Sequence, residues 1–186
     1  MQLTVFGSSS PHTPPEHLAE AAALGTAIAA RGDVLINGAG GAGCMGAITG
    51  ACLAAGGRVK GVILRAFHDA GLTHPDIDDL HIAETMRERK RLLGHQTDAY
   101  LVLPGGPGTW EEFWEVAVER QVGTHQRPLI LINHQGFYDG FLAQSRRAHA
   151  QGFLYGAVEE LFAVASDAEA ALALLHHDDA PEPTCS

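Results

Sequence analysis

In the stretch "LVLPGGPGTWEEFWE", Leu101–Glu115, an apolar run stops at Pro104, three glycines follow, and two carboxylates, Glu111 and Glu112, stand directly after them. Glycine lets a ligand approach the backbone closely. Gly105, Gly106 and Gly108 can therefore admit a phosphate or sugar while Glu112 faces it. A structural reading competes for the same residues. Thr109 and Glu112 have the T-x-x-E spacing of a capping box, which would serve only to satisfy amides at a helix start. A second cluster precedes this one. "TMRERKRLL" carries Arg87, Arg89, Lys90 and Arg91 in a chain that has only 12 Lys and Arg against 22 Asp and Glu. Neighbours on a helix diverge, so these cations cannot all point one way, and one or two of them should reach inward.

The elements that position these residues alternate. Apolar strands are predicted at "LTVFGS", "DVLINGAG", "RVKGVIL", "AYLVLP", "PLILIN" and "LFAVAS". Helices fall between most of them, the first with Pro15 near its start and Gly32 just past its end. The stretch from Phe67 to Ala83 reads as irregular, and His176 and His177 read as a helix end. Strands apolar on both faces, alternating with helices, predict an α/β fold: a parallel sheet of six or seven strands with helices on both faces. Ligands of such sheets bind beyond the carboxyl ends of the strands. That brings together "GSSS", "GAGGAGCMG", the segment before "RERK", and "PGGPGTWEE".

"GAGGAG", Gly38–Gly43, satisfies the G-x-G-x-x-G pattern but follows the second strand, and no acid ends the next strand to hold a ribose. A nicotinamide-type site is therefore discounted, and a phosphate-binding loop at a helix N-terminus is kept as the expectation, with a simple tight turn as the alternative.

Composition excludes other classes. A net charge of −10 argues against nucleic-acid and anionic-membrane partners. No stretch reaches the roughly 18 apolar residues of a membrane span, and "MQLTVFGSSS" lacks the form of a signal peptide. The three cysteines make no metal or disulfide spacing, the 11 histidines are scattered, and the cytoplasm is the expected location. Residues 1–178 are expected to form one domain and 179–186 a loose tail.

"PGGPGTWEE", "RERK", "FGSSS" and "GAGCMGAITGA" together resemble the LOG ("Lonely Guy") family of cytokinin-activating nucleoside-monophosphate phosphoribohydrolases, often mislabelled lysine decarboxylases. The resemblance runs from about Leu3 to Phe153, and the 23-residue separation of Arg89 from Glu112 fits the family spacing. It implies a Rossmann-like fold and a homodimer with active sites near the subunit interface. The implied reaction hydrolyses the N-glycosidic bond of AMP or an N6-substituted AMP, giving free base and ribose 5-phosphate without metal or organic cofactor. Carried over residue by residue, it makes Arg89 and Glu112 catalytic. It makes Ser8, Ser9, Gly43, Met45, Gly46, Lys90, Gly105, Gly106, Gly108 and Thr109 substrate-binding. A carboxylate beside the ribosyl carbon suits this chemistry, because breaking the bond develops positive charge there. Its pKa is expected to be held low by a helix N-terminus and an arginine.

The chain departs from the family where "INGAG" replaces "YGGG", and where "EVAVERQVG" replaces "EVITWAQLG" near the expected base end of the pocket. A pyridoxal-dependent decarboxylase needs a Schiff-base lysine, and only Lys60 and Lys90 exist. A nucleotide or molybdenum-cofactor carrier on the same fold is the remaining alternative.

Overall fold

A computed structural model describes residues 1–77, 79–95 and 97–175. Seven strands form one parallel sheet in the order β4-β3-β2-β1-β5-β6-β7. They are β1 (Gln2–Phe6), β2 (Val34–Asn37), β3 (Arg58–Leu64), β4 (Asp79–Ala83), β5 (Ala99–Val102), β6 (Leu129–Ile132) and β7 (Ala163–Ala165). The expected parallel sheet covered on both faces is present. β4 falls inside the stretch read as irregular, as does most of α3 (Arg65–Asp69).

The two faces follow the period-2 alternation of each strand. Leu3 and Val5 of β1, Leu101 of β5, and Ile130 and Ile132 of β6 join one core. That core is closed by α1 (Pro15–Ala30), α2 (Gly43–Ala54) and α8 (Ala168–Leu174) through Leu24, Ile28, Ile48 and Leu172. Phe6, Tyr100, Val102, Leu129 and Leu131 turn the other way. They meet α4 (Met86–His95), α5 (Pro107–Gln121), α6 (Asp139–Ala150) and α7 (Val158–Leu161) through Leu93, Phe113, Leu142 and Leu161. Burying both faces is what makes the central strands continuous apolar runs. α1 starts and stops as its residues dictate, with Pro15 at its first position and Gly32 at φ +73° after its end.

The chain runs outward from β1 to β4, then returns to place β5 on the other side of β1. The order reverses at β1, so a crevice opens between the loops that leave β1 and β5. Those loops are tied together: the Ser8 amide donates to the Pro104 carbonyl at 3.1 Å. His176, His177 and the tail lie outside the described residues.

Candidate functional site

A cleft of about 550 Å³ occupies this crevice. All four predicted segments reach it: Ser8–Ser10 after β1, Gly38–Ala42 after β2, Arg89 on α4, and Gly106–Thr109 at the start of α5. Buried contacts hold the turn after β5 in place. The Tyr138 hydroxyl donates to the Leu103 carbonyl at 2.7 Å, and the Cys44 thiol donates to the Pro104 carbonyl at 3.7 Å.

Helix α5 begins at Pro107 with Gly106 as its N-cap, and no side chain caps it. The predicted capping box at Thr109 and Glu112 therefore does not form. Thr109 sits one turn too far in, buried, with Gly105 so close that a β-carbon there would lie 2.2 Å from the Thr109 hydroxyl. The box-like arrangement appears instead at α4. There Thr85 accepts from the Glu88 amide at 3.2 Å, and Glu88 accepts from the Glu84 amide at 2.9 Å. This fixes the first turn of α4 and so aims Arg89.

Freed from capping, Glu112 pairs with Arg89. Arg89 Nη1 donates to Glu112 Oε1 at 2.9 Å, and Arg89 Nε donates to the Val62 carbonyl at 3.1 Å. Both side chains are only 12% exposed. Among the described residues no buried side-chain polar atom lacks a partner, and no further bond holds Glu112 Oε2 or Arg89 Nη2. Both residues line the cleft, so these two atoms are available to a ligand there. Burial pushes the Glu112 carboxyl above its ordinary value, Arg89 opposes this through charge and hydrogen bond, and Glu111 and Glu115 add to the rise. The expected low carboxyl is corrected: desolvation by burial outweighs the arginine.

Gly38 explains why a glycine precedes this pair. A β-carbon there would lie 2.3 Å from Arg89 Nη2. Gly38→Ala should push the guanidinium off Glu112 while the fold absorbs the change at the flexible end of a side chain. We expect kcat/KM to fall by roughly tenfold to a hundredfold, with the melting temperature nearly unchanged, measured by steady-state kinetics beside thermal unfolding.

The two glycine segments differ in what they leave for a ligand. In the second, Gly41 donates to the Leu72 carbonyl at 2.9 Å, Met45 to the Ser8 carbonyl at 3.1 Å, and Gly46 to the Ala42 carbonyl at 3.0 Å. Much of its donor capacity is used by the protein, which favours the tight-turn reading over the phosphate-loop expectation. Gly43 and Gly46 serve packing: a β-carbon would lie 2.6 Å from the Ser8 carbonyl oxygen at Gly43, and 2.5 Å from that of Gly41 at Gly46. At α5, β-carbons at Gly106 and Gly108 would meet nothing within 4 Å. The first amides of a helix have no partner within it and carry the positive end of its dipole. Pro107 has no N–H, so the amides in question are those of Gly106, Gly108 and Thr109, and all three residues line the cleft.

Of the predicted substrate-binding residues, Ser8, Ser9, Met45, Gly106, Gly108 and Thr109 line the cleft. Gly43, Gly46 and Gly105 shape the loops behind it. Lys90 stands elsewhere. It bonds Glu111 at 2.6 Å and Glu115 at 3.0 Å, and lines a second cavity of about 370 Å³ between α4 and α5. The divergent "VERQ" stretch is also outside the cleft. Arg120 donates to the carbonyls of Gln126, Arg127 and Glu160, and Glu119 lines the second cavity. Sequence reasoning passed over Phe67, Leu72 and Met86, exposed apolar side chains at the cleft wall. Phe67 and Leu72 lie in a segment without a motif, and long-range contacts bring it there, among them the Gly41 amide on the Leu72 carbonyl and the Gly40–Thr73 bridge; Met86 sits within the cationic motif but carries no charge. Among the described residues no cluster of three or more His, Cys, Asp or Glu could hold a metal, and no helix is long and apolar enough to cross a membrane.

Residues 45–175 match the family described as "Possible lysine decarboxylase". A cytokinin riboside 5′-monophosphate phosphoribohydrolase of Mycobacterium tuberculosis is 38% identical over 141 residues, covering 76% of this chain and 75% of that one. Its namesake from Rhodococcoides fascians is 34% identical over 174 residues, covering 93% and 88%. Among solved structures, the molybdenum cofactor carrier protein of Chlamydomonas reinhardtii superposes with a TM-score of 0.72 at 20% identity, covering 95% and 96%, a likeness of Rossmann-like fold alone. With the family model spanning most of the chain and relatives at 34–38% identity over most of their length, the chain belongs to the LOG family.

Proposed function

We propose that the protein is a nucleoside 5′-monophosphate phosphoribohydrolase. It cleaves the N-glycosidic bond of AMP or of N6-substituted AMP to give free base and ribose 5-phosphate. The observation that carries this reading is the Arg89–Glu112 pair at 2.9 Å, in a cleft also lined by the glycine turn at the start of α5, where the amides of Gly106, Gly108 and Thr109 have no partner within the helix. The 5′-phosphate would lie on those amides and on Thr109. Binding there, remote from the breaking bond, holds the ribose against Glu112. As the bond breaks, positive charge grows on the ribosyl carbon, and the Glu112 carboxylate stabilises it and accepts a proton from the attacking water. The water oxygen joins C1′, the base departs, and its ring nitrogen takes up a proton, so that one water is consumed per bond broken. Arg89 holds Glu112 in position and offers Nη2 to the sugar or the leaving base. The raised Glu112 carboxyl suits a group that must take a proton near neutrality.

The chain does not fit a pyridoxal-dependent decarboxylase. Lys60 bonds Gln2 at 3.0 Å on β3, Lys90 is held by Glu111 and Glu115, and neither lines the cleft. Two further readings accompany the enzyme. Trp110 and Val118 on α5 and Val122 just past its end are exposed apolar side chains at four- and eight-residue spacing, Val122 70% exposed, and support a homodimer. The free thiols of Cys44 and Cys52 support a reducing, cytoplasmic location.

The test is base release, read by chromatography, from AMP, N6-isopentenyl-AMP and adenosine. We expect turnover of both monophosphates and a kcat/KM for adenosine at least about a hundredfold lower, because the phosphate anchor is missing. Tight nucleotide binding without release would favour a carrier instead.

A further inference from the structure

Glu112 does not stand alone on α5. Glu111 precedes it and Glu115 lies one turn beyond, on the same side of the helix. Three carboxylates within one turn repel one another, and that repulsion favours the protonated form of the most buried of them, Glu112. Lys90 meets this problem from α4. Its ammonium bonds Glu111 Oε1 at 2.6 Å and Glu115 Oε2 at 3.0 Å, the two neighbours and not Glu112 itself. Arg89, one position earlier on α4, takes Glu112. Adjacent helix residues diverge by about 100°, so α4 presents one cation to the buried carboxylate and the next to its flanking pair.

The other charged groups around Glu112 do not do this. On α4, Arg87 and Arg91 line the second cavity, neither paired with a carboxylate among the described residues, and Glu119 lines it from α5. Arg127, which enters the same cavity from the segment before β6, donates to the Gly94 carbonyl at 2.7 Å and the Tyr100 hydroxyl at 3.1 Å. β1 contributes Phe6, which is uncharged. Among the described residues Lys90 alone joins both flanking carboxylates, and it does so from outside the substrate cleft.

We propose that Lys90 is a positioning residue that keeps Glu112 ionised for catalysis by neutralising Glu111 and Glu115, and that it does not touch the substrate. This rests on the reading of Glu112 as the catalytic carboxylate. Burial and both neighbours already raise the Glu112 carboxyl. Removing Lys90 leaves those neighbours uncompensated and raises it further. The ionised base is then lost at a higher pH as acid is added.

Two measurements test this on the full chain. The first is the pH profile of kcat/KM for AMP in wild type, Lys90→Met, Lys90→Arg, and the triple variant Lys90→Met/Glu111→Gln/Glu115→Gln. The second needs no substrate: the titration of Glu112 followed by NMR in protein carrying ¹³C at glutamate carboxyl carbons, its signal assigned by its absence in Glu112→Gln. In Lys90→Met we expect the acid limb to move to higher pH, with activity at the acid end falling about threefold to tenfold, modest because the flanking pair is partly exposed. The Glu112 signal should titrate at correspondingly higher pH. Lys90→Arg should keep the wild-type profile, and the triple variant should recover it. A Glu112 titration unmoved by Lys90→Met would overturn the proposal. So would a triple variant that stays impaired, which would mean that Lys90 acts on the substrate or on the fold. Should wild type release no base while the titration still moves, the electrostatic role of Lys90 stands and the hydrolase reading falls.

Discussion

Glu112→Gln will lower kcat for base release from AMP by at least about a hundredfold while leaving KM within about threefold. The split follows from the geometry. The phosphate contacts proposed at Gly106–Thr109 lie at the start of α5, away from the Glu112 carboxylate, and survive the change. What the amide lacks is negative charge for the developing cation and a site for the proton of water. Its oxygen can still accept from Arg89 Nη1, as Oε1 does at 2.9 Å. The helix does not depend on Glu112 either, because α5 is capped at Gly106 without any side chain. Arg89 loses its counter-charge but keeps an amide acceptor, so the melting temperature should fall by a few degrees while the protein stays folded at the assay temperature. Steady-state kinetics and thermal unfolding on one preparation decide the matter. Near-native turnover would return Glu112 to a structural role and remove the enzyme reading with it.

Particular residues show why some of this architecture is legible in the chain and some is not. The glycine turn before α5 is readable because Pro104 and three glycines break an apolar run, and only a turn tolerates that. The central strands are readable because burial on both faces makes them continuously apolar. β4 is not: "DLHIA" lies at the sheet edge, its exposure alternates over its first four residues, and its Asp and His mimic a loop. Pairing with β3 along five residues makes it a strand, and pairing is a long-range event. The two T-x-x-E sequences show the same limit. Spacing alone could not say that Thr85 and Glu88 cap α4 whereas Glu112 turns to Arg89. That depends on where each helix starts, and Gly106 starts α5 three residues earlier than its acids suggest. Divergence on α4 was predictable. Which cation reaches the cleft was not, because it depends on the angle at which α4 packs above β3, set by contacts such as Arg89 to the Val62 carbonyl.

Arg89→Met should be the more damaging change to the pair, and its pH dependence should reveal why. The substitution keeps a long apolar stem but removes the cation from Glu112 and the donor from the Val62 carbonyl. A carboxylate buried without its partner is costly, about 3 kcal/mol when such a pair is broken. The sign of the pH effect is fixed by the groups that remain. Desolvation, Glu111 and Glu115 all raise the Glu112 carboxyl, and only Arg89 lowers it directly. In the variant its folded-state value therefore rises further above the unfolded one. The folded protein then binds the proton more tightly than the unfolded chain, so the variant is most stable in acid. That stability is lost as pH rises through the window between the unfolded and folded values. The melting temperature of Arg89→Met relative to wild type should thus recover as the solution is acidified from pH 8 toward about pH 5. Activity should run in the opposite sense. Protonated Glu112 can neither stabilise the sugar cation nor accept a proton, so the acid limb moves to higher pH. At pH 7 we expect kcat/KM to fall by about a thousandfold, the loss of orientation adding to the loss of ionised base. A variant equally destabilised at every pH, with an unmoved acid limb, would mean that Arg89 serves only to bind substrate and that Glu112 is held ionised by other groups.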